Sequence, residues 1–294
     1  MKKKTKNKIE FYLFRGLLKL LKLFPYKFSE QIIVSLFILI GYYIGIRKKV
    51  AAEQLKMVFP EKSNREIKKI LLRMYAGMGK TAAETYLGNK TKLFANSVAE
   101  GWNNLEKAVA MKKGVILATG HIGNWELAGR YIAAHFKFSV VAKKQRNRYF
   151  DNYTNKLREK DNIEIIDKKN AFREIIKKLR NNYIVAILID QNAGKNGILT
   201  NFLGFPASTF VGAAKIAIKL KCPIVPAFAV RENNGKNHFI ILPMILPTNY
   251  QNNEQSIKQL TEKISSTLEK IIIDHPSDWF WVHRRWRGFK KARY

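Results

Sequence analysis

Cysteine is almost absent from this chain: Cys222 is the only one among 294 residues. An intrachain disulfide and a cysteine-based zinc site are therefore both excluded. Cys222 stands in KCPIVP, where it reads as a small buried apolar residue. Acid is scarce as well, with 22 Asp and Glu against 54 Lys and Arg, a formal net charge of +32. That imbalance selects anionic partners: nucleic acid, an anionic bilayer surface, a phosphorylated substrate or an acidic carrier protein. The glycine-rich stretch NAGKNG after Asp190 lacks the Gly-Lys-Ser or Gly-Lys-Thr of a P-loop. No dinucleotide fingerprint or zinc-helix motif is present, so neither a cofactor nor a metal is expected. No apolar run reaches the roughly twenty residues that cross a bilayer. The strongest, Ile32 to Ile46, is fifteen residues without a charge, and no small-residue cleavage site follows it. Internal repeats and long linkers are also missing.

What is present begins with a segment suited to a membrane surface. Met1 to Lys8 carries five lysines, and Ile9 to Phe24 reads IEFYLFRGLLKLLKLF, with Arg15, Lys19 and Lys22 on one helical face. This is a basic amphipathic helix of the kind that lies among lipid headgroups, broken by Pro25. The run at 32–46 fits a short anchor, a tilted or re-entrant helix, or a buried core helix. Residues 1–46 are expected to form a membrane-associating region and 47–294 the main domain. From Arg47 to Tyr86 the pattern is that of a helical hairpin. Its second helix opens at the capping box Ser63-Asn64-Arg65-Glu66 and repeats apolar residues at Ile67, Ile70, Leu71, Met74 and Met78.

Strands then alternate with helices, which predicts an α/β fold: a mostly parallel central sheet flanked by helices. Strands are expected at 115–118, 138–142, 163–166, 183–189, 224–230 and 238–246, the last antiparallel to its predecessor through an Asn-Asn-Gly turn. At the first of them, GVILATGHIGNWE places His121 and Glu126 where a strand hands over to a helix, with Asn124 as the helix N-cap. An imidazole there can take a proton from an alcohol, and a carboxylate on its other ring nitrogen would fix the tautomer. No serine or cysteine nucleophile is suggested beside the pair, so the attacking oxygen is expected to belong to the substrate. Lys143, Lys144, Arg146 and Arg148 follow the next strand as a candidate phosphate grip. Asp190 ends the most apolar strand in a position equivalent to His121. Arg158 falls mid-helix, where a solvated face is the default. The tail, HPSDWFWVHRRWRGFKKARY, mixes Trp279, Trp281 and Trp286 with arginines. Stacking on bases, an interfacial seat and simple packing all suit it, and packing fits the alternating Trp-Phe-Trp run best.

Four blocks of sequence resemble the late (secondary) acyltransferases of lipid A biosynthesis, within the broader lysophospholipid-acyltransferase-like group that carries a His-x4-acid motif. They are Arg47 to Glu61 with its VFPE ending, HIGNWE at 121–126, Asp190-Gln191 with FLGFPAST at 202–209, and HPSDWFWVHRRWR at 275–287. The resemblance implies transfer of a fatty acyl chain from acyl carrier protein to a hydroxyl of a lipid A precursor. It places the work at the cytoplasmic face of the inner membrane, on an anionic membrane surface. It implies no cofactor beyond the carrier-bound donor, and no nucleic-acid partner. By similarity His121 is the general base and Glu126 its orienting partner. Asn124, Arg158, Asp190, Lys143 and Arg146 are expected to bind substrate. The Lys143 to Arg148 segment matches loosely, and Lys160-Asp161-Asn162 stands where the family pattern has a glycine. An acyltransferase acting on another membrane glycolipid or a lysophospholipid, and a basic nucleic-acid-binding protein, are the alternative expectations.

Overall fold

A computed structural model describes residues 3–167 and 171–288. It opens with helices α1 (Lys3–Leu21), α2 (Tyr26–Ile38), which runs into a π-helical turn at Leu39–Tyr43, α3 (Lys48–Val58) and α4 (Asn64–Tyr86). Pro25 separates the first two, as its fixed φ and missing N–H require. The capping box at Ser63 is formed in full: Glu66 N donates to Ser63 Oγ, and Ser63 N donates to Glu66 Oε2 at 2.8 Å. Helices α2 and α4 lie close together at Gly79, where a Cβ would come within 2.8 Å of the Val34 backbone.

Beyond α5 (Lys90–Ala95) the chain builds a seven-stranded sheet. Its strands are β1 (Ser97–Glu100), β2 (Val115–Thr119), β3 (Phe138–Ala142), β4 (Ile163–Asp167), β5 (Ile184–Leu188), β8 (Ile224–Arg231) and β9 (Asn237–Ile241), in the spatial order β1-β9-β8-β2-β5-β3-β4. Strands β8, β2, β5, β3 and β4 are parallel. β9 runs antiparallel to β8 and carries β1 parallel to itself. The α/β expectation therefore holds, with the reversed pair confined to one edge. The strand expected over 238–246 stops at Ile241, and Ile245 returns only as a bridge to Ile224.

Helices α6 (Trp102–Ala110) and α7 (Trp125–Ala133) cover one face of the sheet, and α9 (Ala171–Arg180), α10 (Gly212–Leu220) and α11 (Glu254–Asp274) cover the other. Both faces are buried, which is why β2 and β5 read as continuous apolar runs rather than alternating ones. Alternate residues still divide between two cores. Leu117, Ala186 and Phe138 belong to the α7 side, and Ile116, Ala118 and Val185 to the α10 side. Helix α8 (Arg148–Lys160) receives α1 through Phe11 and Phe14, whose rings meet Tyr149, Phe150 and Tyr153. Beyond the glycine-rich stretch after Asp190 the chain forms a β-hairpin, β6 (Ile198–Phe202) with β7 (Phe205–Thr209), for which no strand was expected.

Candidate active site

The C-terminal ends of β2 and β5 lie side by side, with registered pairing up to Thr119 and Leu188. His121 leaves the first strand and Asp190 the second, so two residues far apart in sequence reach the same place. The His121 backbone N–H donates to Asp190 Oδ2, and its Nδ1 lies 2.9 Å from Asp190 Oδ1. A third donor, the Trp279 indole Nε1, reaches Oδ2 at 3.0 Å. Asp190 is buried, and burial opposes its charge. The His121 imidazole beside it and these hydrogen bonds outweigh burial and hold the carboxyl below the usual aspartate range. Burial likewise opposes a proton on His121, and the Asp190 carboxylate outweighs it, raising the imidazole above the ordinary histidine value. An ionised carboxylate at Nδ1 puts the ring proton there and leaves Nε2 as the acceptor.

The turn carrying His121 is held from three sides. Gly123 has φ +53° and packs so closely on β8 that a Cβ would lie 2.4 Å from the Ala229 carbonyl oxygen, which only glycine tolerates. The C-terminal tail pairs with the turn from outside: Gly123 N donates to Asp278 O and Phe280 N to His121 O, both at 3.0 Å. From below, Asn124 caps α7 by accepting from Leu127 N at 2.9 Å and donates to Glu84 Oε2 at 2.6 Å. Glu84 in turn holds Arg231 through two bonds of 2.8 Å.

His121 opens onto a cavity of about 710 Å³, in the upper part of the range for small-molecule sites. Its walls are mainly apolar, with Leu117, Gly129, Ile132, Val140, Ile187, Ile189 and Ala213 among them, and its polar residues include Gln191, Glu126, Arg158 and Lys143. The Gln191 carboxamide nitrogen lies 3.4 Å from His121 Nε2. The Trp125 ring packs edge-on at 5.2 Å from the imidazole. Such a site can deprotonate an alcohol beside a long hydrocarbon. Among the described residues no group of three or more His, Cys, Asp or Glu side chains is placed to hold a metal ion.

The family model for bacterial lipid A biosynthesis acyltransferases matches residues 2–288. This chain belongs to that family. The phosphatidylinositol mannoside acyltransferase of Mycobacterium tuberculosis is 26% identical over 199 residues, covering 64% of this chain and 60% of that protein. The chain thus spans less than two thirds of the mycobacterial relative's length. The lipid A biosynthesis lauroyltransferase of Escherichia coli is 22% identical over 277 residues, 92% of this chain and 89% of that protein. The lipid A biosynthesis acyltransferase 2 of Shigella flexneri is 22% identical over 272 residues, 91% and 86% of the two chains. The family and these relatives are all named for acyl transfer.

Several residues expected at the site stand there in other relations. The carboxylate on the imidazole is Asp190, not Glu126. Glu126 faces the same cavity but pairs with Arg158, whose Nε donates to Glu126 Oε2 at 3.1 Å and whose Nη2 meets Oε1. The reason lies in register. His121 turns back toward the neighbouring strand end, while Glu126, already in the first turn of α7, projects toward α8. Asp190, expected to bind substrate, is buried and fully engaged. Asn124, also expected to bind substrate, is a buried cap that does not face the cavity. Lys143 lines the cavity with an exposed side chain, whereas Arg146 is exposed and stands outside the lining. Trp279 and Gln191 complete the constellation unforeseen. Their sequence signals were the Asp-Gln pair itself and a tail too rich in tryptophan to be left in water.

Proposed function

We propose that this acyltransferase moves a fatty acyl chain from acyl carrier protein to a hydroxyl of a lipid A precursor, at the cytoplasmic face of the inner membrane. The observation that carries the reading is an imidazole fixed at Nδ1 by a buried carboxylate and bordering a mainly apolar cavity of about 710 Å³. The acceptor hydroxyl gives its proton to His121 Nε2 as its oxygen attacks the thioester carbon. The tetrahedral oxyanion accepts hydrogen bonds from donors at the cavity mouth, Gln191 foremost, and collapses with loss of the thiolate. The imidazolium returns its proton to that sulfur, so ester and carrier thiol leave in balance. The thioester is already activated, and the reading needs no metal or covalent enzyme intermediate.

Two further features support it. Most large apolar side chains left exposed among the described residues lie between Ile9 and Ile46, including Leu13, Leu23, Tyr43 and Ile44. No single described helix is long and apolar enough to cross a membrane, although 26–43 with 48–58, bent by 77°, passes by length and composition. An exposed apolar face interleaved with lysines suits an anionic bilayer surface. The net charge of +32 suits a phosphorylated glycolipid and an acidic carrier as well. Nucleic acid has no part in this reading. A second acceptor, a mannosylated phosphoinositide, is favoured by the 26% identity to the mycobacterial relative. The test is incubation of the purified protein with acyl carrier protein thioesters and each acceptor in turn, followed by product masses. Acylated lipid A precursor, lost in His121→Ala, is expected. A product only on the mannoside would replace the acceptor, and full transfer by His121→Ala would overturn the mechanism.

A further inference from the structure

Glu84 is a buried acid that the chemistry above does not use. It stands on α4 outside the cavity lining, as do its partners Asn124, Arg231 and Asn237. Both carboxylate oxygens are fully engaged. Oε1 accepts from Arg231 Nη1 at 2.8 Å and from Asn237 Nδ2 at 3.3 Å, and Oε2 accepts from Arg231 Nη2 at 2.8 Å and from Asn124 Nδ2 at 2.6 Å. Burial opposes the Arg231 charge, and the Glu84 carboxylate outweighs it, raising the guanidinium above its ordinary value. A buried ion pair is weak evidence for stability, because dehydrating both charges is expensive. What this one supplies is direction, since a two-pronged guanidinium–carboxylate contact fixes both planes.

That direction reaches the His121 turn by two routes. On one side, Asn124 is pinned between a donor and an acceptor: its Oδ1 accepts from Leu127 N at 2.9 Å while its Nδ2 donates to Glu84. On the other side, Arg231 N donates to Asp278 Oδ2 at 2.8 Å, and Asp278 O accepts from Gly123 N at 3.0 Å. Gly123 and Asn124 are adjacent, so the bonds close into a ring: Glu84, Asn124, Gly123, Asp278, Arg231 and back to Glu84. Thr81, one turn earlier on α4, adds a bond from Oγ1 to Gly123 O at 3.3 Å. His121 lies just before the ringed residues and Trp125 and Glu126 just after them, and these three do border the cavity. An ordinary helix cap has no need of the Asn124 amide. Aspartate caps as well as asparagine, and a negative charge suits a helix N-terminus. It is the Glu84 carboxylate that makes a donor necessary.

We propose that Glu84 is a positioning residue for acyl transfer: locked to Arg231, it orients the Asn124 amide and so sets the turn that places His121 and Glu126 at the cavity. This rests on the acyl-transfer reading above. Glu84 meets neither the acyl donor nor the acceptor. Its effect is carried by Asn124 and Asp278, which hold the two sides of the turn. Without the carboxylate, the amide loses the contact that tells its nitrogen from its oxygen, and the cap and the turn loosen together.

The test exchanges donor and acceptor. Asn124→Asp keeps an N-cap but sets one carboxylate against another. Combining it with Glu84→Gln returns the hydrogen bond in the opposite sense, from the new carboxamide to the new carboxylate, and leaves the net charge of the cluster as it was. Rates are measured above the acidic limb of the pH profile, with an acyl carrier protein thioester and the lipid A precursor. Asn124→Asp is expected to lower kcat about a hundredfold, the cost of a misplacement of about 1 Å, with both KM values within about twofold. The double variant is expected to recover at least about tenfold of that loss, as coupled neighbours do and independent sites do not. Arg231→Lys, which keeps the charge and loses the two-pronged contact, serves where either of these does not fold, and is expected to lower kcat about tenfold with KM unchanged. Wild-type kcat in Asn124→Asp or in Arg231→Lys would overturn the proposal, as would a folded double variant no faster than Asn124→Asp. The ring-nitrogen NMR signals of His121, assigned by their loss in His121→Ala, report on the turn without substrate. Asn124→Asp should displace them and the double variant should return them, and signals unmoved in Asn124→Asp would overturn the proposal. A wild-type protein that shows these displacements but transfers nothing would sink the acyl-transfer reading and leave the positioning in place.

Discussion

The two ends of this chain are alike in composition and opposite in behaviour. Both combine aromatic and large aliphatic residues with lysine or arginine. In α1 those aromatics and leucines stand largely outside, with Leu13 at 70% exposure, and only one side is used to pack on α8. In the C-terminal tail the same mixture turns inward. Trp279, Trp281 and Trp286 each give their indole N–H to an acceptor: Asp190, the Pro276 carbonyl and the Phe202 carbonyl. Arg285 is wholly buried, and its guanidinium lies over the Phe202 ring while donating to Ser208 O and Thr209 Oγ1 at 2.6 Å. Burial pushes that guanidinium down to about 10. A buried indole or guanidinium needs a partner, and the tail has one for each head group. The leucines of α1 need none, so they can face lipid. What separates a core-forming tail from a surface-seeking helix is therefore the supply of acceptors around it, which composition does not show.

The largest effect belongs to the inward-facing end. The tail's Trp279 terminates on Asp190, and Asp190→Asn should keep the packing while replacing the carboxylate on His121 Nδ1. Acyl transfer should fall in kcat by about 10³–10⁴, with KM for donor and acceptor little changed, as when the acid of a Ser-His-Asp triad is replaced. A KM effect without a kcat effect would show that Asp190 does not act through the imidazole. At the outward-facing end, Leu13→Asp with Leu23→Asp should leave the melting temperature nearly unchanged, since surface substitutions cost within about ±0.5 kcal/mol. Sedimentation with phosphatidylglycerol vesicles should nevertheless drop about a hundredfold or more, given roughly 1.5–3 kcal/mol for each leucine withdrawn from apolar surroundings. Unaltered vesicle binding would mean that this face does not meet lipid.

The sequence made the α/β frame readable because β2, β5 and β8 are short apolar runs between turn residues, and Ser63 and Asn124 are caps of ordinary chemistry. It left β1 and the β6–β7 hairpin unread. Ser-Val-Ala-Glu is too short and mixed to stand out, and NFLGFPAST carries Pro206 and Gly204, which mark loops more often than strands. At the site, His121 was legible from the turn that presents it. Its partner was not, because spacing along one chain favours Glu126 at five residues' distance, while the contact that forms is with Asp190 across a sheet register. Register is a property of two strands together, and a single strand does not state it.

A smaller effect follows from Glu126, which spacing had set on the imidazole, and its partner Arg158. Both face the cavity and are joined by two hydrogen bonds, so they should act as one unit. Glu126→Gln, Arg158→Gln and the double variant should be strongly non-additive in kcat/KM, with a coupling of about 1–3 kcal/mol. Additive losses would show that each residue meets the substrate independently.

The finest distinction separates the tail's support of Asp190 from the work of Asp190 itself. Because the carboxylate raises the His121 pKa, the neutral imidazole that acts as base is populated only above the ordinary histidine range, and acyl transfer should rise with pH through that raised value. Asp190→Asn removes the negative charge and leaves burial unopposed, so the acidic limb should move to lower pH. Trp279→Phe does the reverse. Without the indole N–H on Oδ2, the carboxylate's charge is less satisfied and bears more fully on the imidazolium, so the limb should move upward by a few tenths of a unit, with kcat down about tenfold for the lost buried hydrogen bond. A purely structural tail would slow the enzyme without moving the limb. Shifts of opposite sign in the two variants would show that the tryptophan acts on the base through the acid that lies between them.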